Sequence, residues 1–266
     1  MVRRFKAIRR AIWEAIVEND VFGLEPLRTF ARAPGRRAFA FTRLDRKVAA
    51  FMEWLRQVEA QDILGVSLGT PISSAAQKAW QNVYLQSAYQ KGLANAGSQL
   101  SRQGVEVRDS WLQTAFLRPT HADRAGLIFT RAYIQLEGIT DVMDQQISQT
   151  LAQAMIEGAG AKAVARAIVD RVDNIGITRA RRLARTEVIA AHAEAQLNSY
   201  KEAGIEGVKT MAEYLTARDD KVCPKCAPWE GRVITIEQAA GVIPQHPNCR
   251  CAWAPVVVDS EGKILQ

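Results

Sequence analysis

Four cysteines and one histidine crowd into one short stretch. Cys223, Cys226, Cys249 and Cys251 are all the cysteines of the 266-residue chain, and His246 stands three residues before Cys249. The two-residue gap of Cys223-Pro-Lys-Cys226 lets two thiolates on one turn reach a single tetrahedral ion at about 2.3 Å. His246-Pro-Asn-Cys249-Arg-Cys251 offers three more ligands, where one zinc needs four. Cys223, Cys226, His246 and Cys249 make one set; putting Cys251 in place of His246 or Cys249 gives others. Beside a structural zinc stand two further readings: reduced, packed cysteines without metal, and a disulfide formed after cell lysis. A redox role for the Cys223/Cys226 pair is weak, because thioredoxin-like pairs open a helix and Pro228 and Gly231 leave little room for one.

The elements that must position these residues read from hydrophobic period. Phe5, Ile8, Ile12, Trp13, Ile16 and Val17 recur at helical spacing over residues 1–20. Residues 21–44 are broken by Gly23, Pro26, Pro34 and Gly35 and read as an irregular arm. A helix over about 45–64 uses Val48, Phe51, Met52, Leu55, Val58 and Leu64. Breakers at Gly65, Gly69 and Pro71 follow, then a helix capped by Ser73 or Ser74 and reaching Ser101, packed through Trp80, Tyr84, Leu85, Ala88 and Leu93. A short helical piece at Ser110–Leu117 ends at Pro119. Thr120 starts a helix with Leu127, Ile128, Tyr133, Ile134 and Leu136. A separate helix at Asp141–Glu157 packs through Val142, Ile147, Leu151 and Ile156 and stops at Gly158 and Gly160. Ala161–Val172 packs Val164, Ile168 and Val169 inward, Asn174 and Gly176 turn the chain, and Thr178 caps a long helix ending at Gly204. Strands follow at Val208–Leu215, Arg232–Ile236 and Trp253–Val258. The fold class is mainly α with a small α+β C-terminal module: a long helical body, then a Cys/His-rich, strand-bearing cap.

Charge is unevenly spread. Residues 1–50 carry twelve Lys and Arg against five acids, which accounts for the whole net charge of +7. Arg3, Arg4, Lys6, Arg9, Arg10, Arg32, Arg36 and Arg37 are the candidate contacts to an anionic partner, nucleic acid or an acidic protein surface. Phe30, Phe39 and Phe41 would anchor in a partner groove or stack on bases. No secretory signal and no membrane span are expected, since charges interrupt every apolar run. A reducing cytoplasm is the expected place of synthesis.

A set of motifs in fixed order makes the C-terminal part recognisable. An Arg185-Thr186-Glu187 triplet on a helix is followed by Tyr200 and Gly204, an Asp219-Asp220 turn, Cys223-x-x-Cys226, Gly231, and His246-Pro-Asn-Cys249-Arg-Cys251. This stretch, about 140–258, resembles the phage minor head protein family, the head-morphogenesis group that includes the F protein of phage Mu. It departs in one respect: the tryptophan frequent in the strand before the aspartate turn is absent, and Met211 and Tyr214 occupy that region. The resemblance implies a minor capsid protein placed with the portal vertex inside the head, assisting assembly and DNA packaging or ejection, with portal, capsid or scaffold components as partners. It divides the chain into a basic helix and arm (1–44), a helical body (45–138), the head-morphogenesis domain (139–258) with its Cys/His module (217–255), and a tail (259–266).

Residues one apart diverge around a helix, so only Arg185 or Glu187 is expected to face the cap. Asp219 and Asp220 are expected to satisfy local N–H groups rather than hold a hard cation. Glu187 with His192 or Asp219 is a poor catalytic arrangement, and His121 reads as a cap or loop residue. No enzyme is expected. The rivals are a zinc-dependent DNA-binding module acting in packaging or ejection, and a nuclease or transferase.

Overall fold

The computed structural model describes residues 1–24, 37–105, 114, 118–205, 209–259 and 264, with the backbone alone at 37–45, 204 and 205. The expected piece at Ser110–Leu117, apart from Thr114, lies outside the described residues, as do Phe30, Arg32, Arg36, Val208 and the side chains of Arg37, Phe39 and Phe41. The chain is mainly helical and closes on a three-stranded antiparallel sheet. It forms two units, each built from two separate stretches: Met1–Trp80 with Tyr133–Arg181, and Gln81–Ala132 with Arg182–Gln266.

In the first unit, α1 (Val2–Trp13) runs on as a π-helical turn over Glu14–Glu18. Phe5, Ile8, Ile12 and Ile16 are fully buried along one stripe, as the period requires. Helix α2 is Arg37–Glu59, continued by a second π turn over Ala60–Leu64 and ended by left-handed Gly65. Residues 37–44 are therefore helical, not part of an irregular arm. The expected single helix from Ser73 to Ser101 is two. Helix α3 (Ile72–Lys78) starts after Pro71 with no side-chain cap, and extended Ala79 separates it from α4 (Asn82–Arg102). Trp80 explains the break: its indole N–H donates to the Ile63 carbonyl at 2.8 Å, and the Arg4 guanidinium lies 4.6 Å above its ring.

Helix α5 runs unbroken from Pro119 to Ile156, so there is no new helix at Asp141. Ile139 and Thr140 are buried, and the Thr140 hydroxyl donates back to the Glu137 carbonyl at 2.7 Å. Helix α6 (Ala161–Arg171) passes through a third π turn, Val172–Ile177, directly into α7 (Thr178–Ile205). The expected turn at Asn174-Gly176 and cap at Thr178 are not there. Gly176 serves close approach instead: a Cβ on it would stand 2.5 Å from the Phe5 ring and 3.0 Å from the Met143 sulfur. Glu59, 3% exposed, is buried beside Asp144 in this unit.

In the second unit, Leu85, Ala88, Tyr89 and Leu93 of α4 pack with Ile128 and Ala132 of α5 and with Ala191 and Ala195 of α7. Gly92 lets α4 touch α7, since a Cβ there would meet the His192 carbonyl oxygen at 2.5 Å. Four expected packing residues point outward: Tyr84 and Leu127 of this unit, each 65% exposed, and Ile134 (48%) and Ile156 (78%) of the first. Each lies just off the buried stripe, one position beside Leu85, Ile128 or Tyr133 or at a helix end.

The sheet has the order β2-β1-β3, from β1 (Lys209–Leu215), β2 (Val233–Thr235) and β3 (Ala252–Val258). Met211 pairs with Thr235 on one side and Val256 on the other. Ala212, Tyr214 and Trp253 are fully buried, with the Tyr214 ring edge-on to Trp253 at 5.3 Å. Between β2 and β3 lies the short α8 (Ile236–Ala239), opened by a capping box of Thr235 and Gln238. The outer edge of β3 is closed by side chains. The Gln196 amide donates to the Trp253 carbonyl at 2.9 Å and accepts from its N–H at 3.4 Å. Gln103 does the same for the Pro255 carbonyl (2.6 Å) and the Val257 N–H (3.2 Å). No described helix is long and apolar enough to cross a membrane.

Candidate metal centre

Two turns of the same design face each other beside the sheet. The Cys226 N–H donates to the Cys223 carbonyl at 3.0 Å, and the Cys249 N–H donates to the His246 carbonyl at 3.1 Å. Each three-residue step therefore places its first and last side chains on one side. His246 Nε2 lies 3.1 Å from Cys223 Sγ and 3.3 Å from Cys226 Sγ, and Cys226 Sγ lies 4.0 Å from Cys249 Sγ. Two ligand triads result, Cys223/Cys226/His246 and Cys226/Cys249/Cys251, with Cys226 the shared corner; within each triad the ligand atoms lie within 4.8 Å of one another. All four cysteines are free thiols.

The donor set suits a soft or borderline cation. Four ligands about 2.3 Å from one ion stand about 3.8 Å apart along the edges of a tetrahedron, close to the Cys226–Cys249 separation. The ring of His246 is turned toward the sulfurs. Its Nδ1 meets the Pro247 carbonyl at 2.9 Å, which makes Nδ1 the donor and leaves the Nε2 lone pair on the side of the thiols. Gln245, its amide oriented by its partners, donates to the Lys225 carbonyl at 3.2 Å and accepts from the Trp229 indole at 3.1 Å, tying the two turns together. Cys226, Cys249 and Cys251 are buried, while Cys223 and His246 are half-buried. Burial pushes the Cys226 thiol up to about 12, and burial likewise raises Cys251. At Cys223 desolvation is outweighed by hydrogen bonds from Cys226 and the Lys225 N–H and by His246, so its thiol ionises more readily than usual.

The Arg185-Thr186-Glu187 triplet connects differently from expectation. Thr186 is the residue that reaches the cap. Its hydroxyl accepts from the Asn248 N–H at 3.1 Å and donates to the Arg182 carbonyl at 2.8 Å, which fixes Asn248 in the left-handed conformation at φ 60°. Glu187 is buried and takes two hydrogen bonds from Arg131 of α5, at 2.8 and 3.2 Å on one carboxylate oxygen. Arg185 is exposed. Asp219 accepts from the Lys221 N–H at 3.0 Å and from both terminal nitrogens of Arg250 at 2.5 and 2.7 Å. The Arg250 contact holds its carboxyl down at about 2. Asp220 is exposed on the same turn.

Of the basic candidates, Arg4 donates to the Asp62 carbonyl at 2.6 Å and Arg9 pairs with Asp173 at 3.1 Å, so both staple α1 within its own unit. Arg3, Lys6 and Arg10 remain exposed, on one stripe of α1 by their spacing.

Sequence reading passed over a buried polar array in the second unit. His121 is fully buried, with Nδ1 2.8 Å from the Tyr89 hydroxyl and Nε2 3.1 Å from Glu202, which also takes Arg118 at 2.9 Å. Asn198 donates to the same Tyr89 hydroxyl at 3.0 Å. The residues are far apart in sequence, and the place of His121 two residues after Pro119 gave the only local cue, for a helix start.

Among known proteins, the family described as Phage Mu protein F like protein matches residues 145–254. No curated protein and no solved structure matches the chain. The matched residues take in Thr186, Glu187, both facing turns and most of the sheet. Over residues 145–254 the chain is thus similar to the phage Mu protein F-like family.

Proposed function

We propose that the protein is a minor capsid protein of a tailed phage, held inside the head near the portal vertex after assembly in the host cytoplasm, and that it assists head assembly and DNA packaging or ejection. The family match over 145–254 is the observation that carries this reading. Its partners are the portal protein and capsid or scaffold components. Arg3 and Lys6 are the contacts for an acidic partner surface, with the exposed Arg10, which pairs with Glu14 at 2.7 Å, beside them on the same stripe; Arg4 and Arg9 are spent on contacts within the unit. The role is structural rather than catalytic: Glu187 and Asp219, the acids that could have served chemistry, are each engaged by an arginine. The ion for the Cys/His cluster is zinc, which would supply bonds that clamp the two facing turns together, as in small structural zinc modules.

The test is co-expression of the full chain with the portal protein of the same phage, followed by capture of the portal. Wild type is expected to co-purify, and the triple variant Arg3→Glu/Lys6→Glu/Arg10→Glu to lose at least tenfold in recovery while keeping its helical circular dichroism. Absence of the protein from purified phage particles would overturn the reading. Portal-independent DNA binding that weakens steeply with salt would shift it to a nucleic-acid module.

A further inference from the structure

The five sulfur and nitrogen candidates exceed the four positions of a tetrahedral ion, and two observations choose among them. The first is the repeated turn. Cys223/Cys226 and His246/Cys249 are each joined by a hydrogen bond from the fourth residue's N–H to the first residue's carbonyl, so the four side chains come from two equivalent turns. Cys251 lies beyond the second turn, next to β3, and belongs to no such step. The second is a hydroxyl without a conventional partner. Tyr214 is fully buried, and among the described residues its oxygen has no hydrogen-bond partner. Its ring is fixed edge-on to Trp253 and tilted against Trp229, and it packs in one buried cluster with Cys226, Cys249 and Cys251. A buried hydroxyl left without an acceptor is costly, and a sulfur that carries an ion is a far better acceptor than a thiol.

Resting on the zinc reading above, we propose that Cys223, Cys226, His246 and Cys249 hold the ion, with Cys249, whose sulfur here groups with those of Cys226 and Cys251, drawn onto the other three by binding, that Cys251 stays outside the ligand set, and that the Tyr214 hydroxyl is the hydrogen-bond donor to the ligand sulfur of Cys226. Tyr214 is a positioning residue: it holds the corner that the two triads share. The pair Arg250–Asp219 clamps the backbone between Cys249 and Cys251, which keeps the second turn closed and Cys251 on the sheet side.

The experiment is titration of the reduced full-length protein with cobalt(II), read by ligand-field and sulfur-to-cobalt charge-transfer absorption. One cobalt with a tetrahedral, three-thiolate spectrum is expected. Cys251→Ser should keep both the stoichiometry and the charge-transfer intensity. Cys249→His, which replaces sulfur by nitrogen, should keep one cobalt and lose about a third of that intensity. Histidine at position 249, unlike serine, keeps a fourth ligand on the ion, so this variant is expected to stay folded. Tyr214→Phe keeps the ring and should leave the ligand-field bands in place, shift the charge-transfer band, and weaken zinc in competition by about tenfold. Loss of a thiolate in Cys251→Ser with none in Cys249→His would overturn the ligand set. A Tyr214→Phe protein with wild-type band position and affinity would overturn the role of Tyr214. Wild type that binds neither cobalt nor zinc would overturn the zinc reading itself, and with it this one.

Discussion

A single hydroxyl at Thr186 fastens the second turn of the Cys/His cluster to α7. Valine has the same shape and no oxygen, so Thr186→Val should leave the Asn248 N–H without its acceptor and cost about 1 kcal/mol in urea denaturation. The loss should be confined to the second unit, with faster amide exchange at Asn248 as the local reading. Glu59 gives a residue-scale effect of opposite sign. Desolvation, then the charges of Asp144 and Asp141, push its carboxyl up to about 10 from an ordinary value of 4.5. A raised folded-state value means the contribution to stability is fully present below about pH 4.5, falls as the unfolded chain releases its proton, and is gone once pH passes about 10. Glu59→Gln keeps the size and removes the titration. It should therefore match wild type near pH 4 and exceed it at pH 8, by about 1–3 kcal/mol in thermal or urea unfolding. An identical pH dependence in the two proteins would refute the assignment.

At the scale of elements, the glutamine-closed edge of β3 stands out. A strand edge left open exposes its N–H and carbonyl groups to pairing with another chain. Here Gln196 and Gln103 occupy four of those groups, and each amide presents a donor and an acceptor as a neighbouring strand would. Gln196→Leu should leave the Trp253 N–H unpaired in the core, while its carbonyl keeps the Tyr200 hydroxyl at 3.1 Å, cost about 1–3 kcal/mol, and raise hydrogen exchange along β3. Gly92→Val should cost about 1–3 kcal/mol for a different reason, because the added carbons collide with the His192 carbonyl of α7. These elements also show what was legible beforehand. The apolar stripe of α1 and the three strands were readable because each buries one face against a nearby core, so period alone marks them. The joins were not. Gly138 and Gly176 look like breakers, yet buried neighbours and a π turn carry the helix through them. Ser73 looks like a cap, but Trp80 bonded to Ile63 decides where the chain breaks. At the candidate site, the five Cys/His candidates were visible from spacing, whereas the contacts made by Thr186, Tyr214 and Gln245 were not, since their partners lie across the fold.

At the scale of the molecule, the family match and the folding units have different boundaries. Residues 145–254 begin inside α5 and take in parts of both units, whereas the second unit also needs residues 81–132. Leu85, Ala88, Tyr89 and Leu93 cover Ala191 and Ala195 of α7. A fragment of residues 139–258, cut to the extent of the resemblance, should therefore lack part of its core, aggregate or expand, and show no cooperative melt. The full chain should melt cooperatively, and a zinc chelator should lower protection within residues 209–258 while leaving amides of α1 unchanged. Retained cooperative unfolding in the fragment would contradict the unit boundaries.

The interleaved chain also sets an order of events during synthesis. The first unit has all its residues once Arg181 has left the ribosome. The second does not: α4 emerges early, yet the α7 face and the sheet that cover it are made last, ending with His246, Cys249 and Cys251. At ribosomal speeds of about 5–20 residues per second, α4 keeps its apolar face uncovered for roughly ten seconds. During that interval Leu85, Tyr89 and Leu93 are available to chaperones. The two cysteine-bearing turns then complete the unit, so on the proposed zinc reading the supply of the ion would govern this later folding step rather than the first.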